Sequence, residues 1–355
     1  MTEVVGVSAT PASAPNFRVR LLLPRNALAA RGVRLEPLSL FPPDGLEARG
    51  LLRSRAGSLL HARRRLEKAL STSVAEATVI SRQADVLPFL ALERRAMAGR
   101  RFVYDVDDAI WLDAREEARG GRLAVLKGSA RKAAWLAQRA ETVIAGNPIL
   151  AEWLSRHSRN VTVVPSLVET HRIPVRRHAD DGEVVLGWIG SRTTAPYLGA
   201  LRDILTAAAH ALAPVRLRLI VVGGSLDAVP GVAIETHPWS EGAELAVLRQ
   251  MDIGLMPLPD NPWTRGKCGY KAIQYMAAGV PVVADDVGIT GELLDRGNTG
   301  VIARGSRAWI DALVGLGRSP EARARLGSAG RSRAESHYSV ANWAPVLSRV
   351  LQGAS

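Results

Sequence analysis

Apolar residues recur along this chain in two patterns. Short runs of Val, Ile and Leu alternate with longer stretches in which apolar positions return every three or four residues, the marks of buried strands and amphipathic helices. In the first half EVVGVSA (3–9), VRLEPLSLF (33–41), ATVISRQ (77–83), RFVYDVDD (101–108), ETVIAG (141–146) and VTVVP (161–165) read as strands. Helical spacing fills 17–32 despite Pro24, then 58–70, 87–99, 126–139 and 149–157. The polar stretch VETHRIPVRRHADDGE (168–183) reads as a linker, and a second series follows it. Its strands fall at 184–191, 217–224, 232–238, 252–258, 281–285 and 299–303, with helices over 197–212, 243–251, 269–278 and 289–297. Strand and helix alternating in this way predict parallel, doubly wound sheets.

The expected organisation is an N-terminal domain over 1–175, a second over 176–337, and a C-terminal helical segment over 338–355 that packs back on the first. Two such domains in series predict a cleft between them, with ligands at the carboxyl ends of the strands. Composition agrees: 355 residues, 47% hydrophobic and 23% charged, is ordinary globular material. The lone Cys268 excludes a disulfide framework, and the seven histidines show no zinc-site spacing. The best apolar run, Leu217–Val222, is too short to span a bilayer, and the N-terminus lacks a basic-then-apolar signal pattern, so the expectation is a cytoplasmic protein.

A net charge of +12 changes the picture by asking for an anionic partner. Basic residues gather at Arg53, Arg55, Arg63, Arg64, Arg65 and Lys68, and again at Arg94, Arg95, Arg100 and Arg101. Phosphates or anionic lipid at the inner membrane face fit such a surface, as does plain solvation of helix faces. Nucleic acid does not, because aromatics are 5% of the chain and none interleave with these arginines.

The densest chemistry lies in GKCGYKAIQYMAAGVPVVADDVG (266–288). As a helix, it places Ala272, Ile273, Met276 and Ala277 on one stripe and Lys267, Lys271 and Gln274 on the other. Gly266 and Gly269 admit a ligand close to the backbone, the helix start favours an anion, and Lys267, Lys271 and nearby Arg265 suit a pyrophosphate. A solvated helix face is the bland alternative. In the turn WIGSRTT, backbone N–H groups of Gly190 and Ser191 would face phosphate, with Arg192 and Thr193 beside them and Gly223 and Gly224 in the next turn. Trp239 would stack on a base or pack in the core. Asp105, Asp107 and Asp108 end a strand, where they would bind a metal as a D-x-D pair, bind a ligand, or cap a helix. Asn147 carries the same choice of binding or capping, and Cys268 reads as packing rather than nucleophile.

GWIGSRTTAPYL together with DIGLMPLPDNPWTRGKCGYKAIQYMAAGVPVVADDVG resembles the donor-binding domain of a GT-B glycosyltransferase of the retaining family 4 type, glycosyl transferases group 1. RFVYDVDDAIW, VIAGNPILAEWL and VTVVPSLVE resemble that family's N-terminal domain. The resemblance implies an α/β GT-B fold, with two Rossmann-like doubly wound domains facing a central cleft. The second would hold a nucleotide-diphosphate sugar, UDP- or GDP-linked, and the first a glycan, lipid-linked or small-molecule acceptor. It implies no cofactor, no metal and no protein nucleophile, and a place in cell-surface glycan or glycolipid synthesis. The catalytic candidates are Lys267, Lys271, Asp107 and Asp108. The substrate-binding candidates are Gly190, Ser191, Arg192, Gly223, Arg265, Gly266, Cys268, Gly269, Tyr270, Gln274, Asp105 and Asn147. The family's two glutamates eight positions apart are absent, replaced here by Gly266 and Gln274. That substitution keeps two alternatives in view, an epimerase or phosphorylase on the same fold and a protein that binds nucleotide sugars without turnover.

Overall fold

Runs such as VVGV and LIVV are apolar on both faces, which suits strands covered by helices on either side of a parallel sheet. The computed structural model, which describes residues 1–41, 53–72, 75–85, 90–112, 128–180 and 182–353, contains two such sheets of six strands each. The expected helix starts at 87–89 and 126–127 and the side chains of Arg53 and Arg55 lie outside the described residues. By contacts the chain divides into one unit of Met1–Leu167, Gly266–Cys268 and Val340–Ser355, and another of Val168–Arg265 and Gly269–Ser339.

In the first unit the strands are β1 (Thr2–Ser8), β2 (Val33–Ser39), β3 (Ala77–Ser81), β4 (Arg101–Val106), β5 (Thr142–Ala145) and β6 (Val161–Val163), in the order β2-β1-β3-β4-β5-β6. All pairs are parallel. Alternate residues feed two cores. Val5, Val7, Ile80, Tyr104 and Val143 face the helices Arg53–Thr72, Ala91–Met97, Ser129–Arg139 and Pro148–Leu154. Val4, Leu35, Val79 and Ile144 face Phe17, Leu21, Leu28 and the last helix, Val340–Gln352, whose Val340, Leu347 and Leu351 complete that layer. The long helix expected over 17–32 is instead broken into Pro15–Phe17, a π-turn over Arg18–Leu22, and Arg25–Ala29. Pro24 has no N–H to donate and its ring displaces the preceding turn, so the helix restarts after it.

In the second unit the strands are β7 (Glu183–Ile189), β8 (Arg216–Val222), β9 (Val232–His237), β10 (Ile253–Met256), β11 (Val282–Asp285) and β12 (Gly300–Ala303), in the order β12-β11-β10-β7-β8-β9. Read from β9, this is the doubly wound order 3-2-1-4-5-6, whose direction reverses between β7 and β10. Helices Arg202–Leu212, Gly305–Arg318 and Pro320–His337 cover one core, and Tyr270–Ala277 fills the other with Ala272, Ile273, Tyr275 and Met276. The stretch expected to be a linker runs along this unit: Arg176 N donates to Ala278 O at 2.8 Å, and His178 bridges Asp252 and Gly279 O.

Candidate functional site

In the second unit the candidate residues gather at the carboxyl end of β7, beside the reversal of strand order where doubly wound sheets bind ligands. The helix Tyr270–Ala277 is pinned there because the Ile189 N–H donates to the Tyr275 hydroxyl at 2.9 Å. Gly269 starts this helix at φ +64, a left-handed position that glycine adopts without steric cost. The Lys271 ammonium lies 4.3 Å from the centre of the Trp188 ring, an attraction worth about 0.5–2 kcal/mol. Trp188 is fully buried, and its ring occupies the space a side chain on Gly190 would need: a Cβ there would sit 2.0 Å from it. The turn after β7 is therefore a thin backbone layer over an indole that also seats a cation.

Both expected backbone anion donors, and the amide of Gly223 in the next turn, are already engaged. Gly190 N–H donates to Val222 O, Ser191 N–H to Thr194 Oγ1, and Gly223 N–H to His237 O. The reading that aimed these amides at phosphate is corrected: sheet extension and a Ser/Thr turn use them first. The turn offers an anion the exposed Arg192, and the helix Tyr270–Ala277 the seated Lys271. Arg265, also exposed, is held by Asp260 at 2.6 and 2.9 Å. Tyr270 is half-buried at the helix start.

Gln274 is buried rather than presented to a ligand; its amide donates to Glu244 Oε1 at 2.6 Å. Glu244 is buried as well, and its other oxygen accepts from Trp239 Nε1 at 3.0 Å. A carboxylate from the neighbouring helix Glu241–Leu248 thus stands against the position where the sequence carries glutamine, and Trp239 is half-buried and tied to it.

The first unit holds a second cluster, where β1, β3 and β4 end. Asp105 is buried and clasped by Arg20, with Nε 3.0 and 3.1 Å from its two oxygens, and it also accepts from Ser81 Oγ at 3.1 Å. Arg20 Nη1 donates to the carbonyls of Val164 and Pro165 at 2.9 and 2.8 Å. Arg82 Nη2 reaches Asp107 at 3.0 Å and Asp108 at 2.8 Å, and the Lys267 ammonium, counted in this unit, lies 3.1 Å from Asp108. Burial alone would raise the Asp107 carboxyl, but Arg82, Arg20 and Lys267 outweigh it and hold that carboxyl below the ordinary range. Three cations thus answer three carboxylates. Asp105 is saturated by its partners, while Asp107 and Asp108 keep slight exposure.

Asn147 caps the helix Pro148–Leu154 by accepting from Leu150 N at 2.9 Å, and its amide donates to Gly266 O at 3.0 Å and Cys268 Sγ at 3.3 Å. Cys268 is buried, donates to Asp107 O at 3.1 Å, and burial pushes its thiol far up, which makes it packing. By contacts Gly266, Lys267 and Cys268 fall in the first unit, and Gly269, Tyr270, Lys271 and Gln274 in the second. Among the described residues no group of three or more His, Cys, Asp or Glu is placed to hold a metal ion.

Arg20, Arg82, Trp188 and Glu244 were not among the candidates. The signal for the arginines was present: carboxylates ending an apolar strand must find countercharge once buried.

Residues 183–318 match the family model of glycosyl transferases group 1. That stretch lies in the second unit except for Gly266–Cys268. No curated protein matches the chain. Among solved structures, sucrose-phosphate synthase from Thermosynechococcus elongatus is similar at TM-score 0.71 with 17% identity, covering 100% of both chains. HepE of Anabaena, solved with UDP and glucose, is similar at TM-score 0.68 with 14% identity over 99% of this chain and 100% of its own. WaaG, a glycosyltransferase involved in lipopolysaccharide biosynthesis, is similar at TM-score 0.60 with 14% identity over 99% and 100%. The fold is that of the GT-B glycosyltransferases.

Proposed function

We propose that the chain is a retaining glycosyltransferase that moves a sugar from a nucleotide-diphosphate donor, UDP- or GDP-linked, to a glycan, lipid-linked or small-molecule acceptor. The observation that carries the reading is Lys271, seated on Trp188 at the strand reversal of a unit whose residues 183–318 match glycosyl transferases group 1. A fixed ammonium there suits the negative charge that builds on a departing diphosphate, and Arg192 adds an exposed cation on the turn after β7. HepE, with the same fold, was solved with UDP-glucose, which supports the donor class.

In this reading Lys271 of the second unit neutralises the leaving diphosphate, while in the first unit Lys267 adds positive charge beside Asp107 and Asp108, which accept hydrogen bonds from sugar or acceptor hydroxyls. The proposed chemistry uses no protein nucleophile and no metal; the pairing of Asp107 and Asp108 with Arg82 and Lys267 supports the metal-free part of the reading. A cytoplasmic site of action, peripheral at the inner membrane face, and a role in cell-surface glycan synthesis belong to the same proposal. No helix among the described residues is long and apolar enough to cross a membrane.

The test is a thermal-shift screen of UDP-, GDP-, ADP- and TDP-sugars, with and without EDTA, on the wild type and Lys271→Ala. A donor at a hundred times its dissociation constant stabilises by about 2.7 kcal/mol, or roughly 5–10 °C for a unit of this size. A shift with one nucleotide, unchanged by EDTA and lost in the variant, is expected. A shift that requires metal and survives the substitution would move the site to the aspartates and overturn the reading.

A further inference from the structure

The helix Ala91–Met97 buries a carboxylate to which the proposed transferase chemistry gives no role. Glu93 is fully buried, and Lys132 of the helix Ser129–Arg139 meets it at 2.6 Å. A pair this deep contributes little by itself, because desolvating both ions offsets most of their attraction. Its hydrogen bonds show what else it holds. Glu93 Oε1 accepts from the Ala84 N–H at 3.1 Å and the Asp85 N–H at 3.0 Å, while Lys132 Nζ donates to the Asp85 carbonyl at 2.7 Å. Two successive amides converge on one oxygen, the arrangement with which a backbone captures an anion. The other oxygen, Oε2, has no hydrogen-bond partner among the described residues. Neither has the Tyr104 hydroxyl, which burial pushes up and the Glu93 charge pushes further. The carboxylate therefore spends its bonding on the turn that follows β3.

That turn carries Arg82. Its backbone stands at φ +62, a conformation in which a residue with a side chain persists only where the surroundings hold it. On the strand side the Arg82 N–H donates to Asp105 O at 2.7 Å, and the Ala9 N–H to Gln83 O at 2.8 Å. On the far side the hold is Glu93. From this clamped turn Arg82 Nη2 reaches Asp107 at 3.0 Å and Asp108 at 2.8 Å.

We propose that Glu93 is a positioning residue for this carboxylate pair: by holding the Ala84 and Asp85 amides it fixes the turn, and with it the place of the Arg82 guanidinium between Asp107 and Asp108. The inference rests on the transferase reading only for what Asp107 and Asp108 bind. The link from Glu93 to those carboxylates needs neither donor nor acceptor.

Carbon-13 titration of the Asp107 carboxyl in the full chain, its signal assigned by its loss in Asp107→Asn, tests this. The cations acting on that carboxyl are Arg82, Arg20 and Lys267, and of these the turn carries Arg82. Glu93→Leu removes the acceptor and frees Arg82, so burial should raise the Asp107 midpoint by about one pH unit. Glu93→Gln gives up the charge facing Lys132 but keeps an oxygen for both amides, so it should lower the melting temperature and leave the midpoint in place. A residue that served the fold alone would lower the melting temperature in both variants and move the midpoint in neither. Glu93→Ala, whose smaller side chain lets water reach Lys132, keeps the test open if Glu93→Leu folds poorly. In an Arg82→Ala background the Glu93 substitutions should no longer move the midpoint. An Asp107 midpoint unmoved by Glu93→Leu and Glu93→Ala, moved equally by Glu93→Gln, or still moved without Arg82, would overturn the proposal. Absence of any nucleotide-sugar shift in the wild type would instead count against the transferase reading and leave this result standing.

Discussion

Arg82 sits in the left-handed region at φ +62, and its side chain spans two buried carboxylates. Replacing it with alanine separates two effects that the structure combines. The Asp107 and Asp108 side chains are 9% and 11% exposed and Arg82 22%, so the guanidinium cannot be replaced by bulk water. Removing one partner of a buried pair costs about 3–5 kcal/mol, and the low end applies because Lys267 stays 3.1 Å from Asp108. For a unit of this size about 3 kcal/mol lowers the melting temperature by roughly 6–12 °C. The pH dependence has a defined sign. In the wild type the Asp107 carboxyl is held below its ordinary value, so its pairing contributes fully above the ordinary carboxylate range and is lost as pH falls through the lowered pKa. In Arg82→Ala burial pushes that carboxyl upward instead, and protonating it removes the uncompensated charge. The gap between the two proteins should therefore be widest near neutral pH and shrink below about pH 4. Arg82→Gly should fall short of Arg82→Ala in damage by up to about 1 kcal/mol, since glycine relieves the left-handed strain. Differential scanning calorimetry across pH measures all three. A neutral-pH shift smaller than about 2 °C, or a gap that widens on acidification, would refute the argument.

Other substitutions probe the remaining elements. Gly190→Ala places a methyl 2.0 Å from the Trp188 ring; it should destabilise the second unit by about 3 kcal/mol in urea melts and abolish donor-induced thermal shifts. Cys268, the chain's one thiol, should react with a colorimetric disulfide reagent about a hundred-fold more slowly than a free thiol and at full rate in denaturant, because burial suppresses the thiolate.

Much of this architecture was legible because it depends on local pattern. Apolar runs on both faces announce strands under helices, and each predicted strand from EVVGVSA to TGVIA lies on one of the two sheets. The site was legible in composition but not in pairing. DVDD showed that carboxylates end a strand, yet nothing local says that Arg82, twenty-five positions upstream of Asp107, is the cation that meets them. Its left-handed backbone also occurs without the glycine that would have announced it. The tandem WIGSRTT suggested open backbone amides, but which hydroxyl caps Ser191 N–H depends on turn geometry that residue types alone leave open. Gln274 shows the same limit: helical spacing put it on the lysine side, and a carboxylate from another helix then drew it inside.

The first unit borrows its last helix from the far end of the chain, and this has a consequence for synthesis. Val340, Leu347 and Leu351 close the layer over Leu28 and Leu35, so a ribosome that has finished β6 has not yet made the residues that cover it. All of 168–339 must be translated first, which at 5–20 residues per second takes roughly ten to thirty seconds. Throughout that interval the nascent first unit carries an open greasy flank, and it is then that a holding chaperone has a surface to grip.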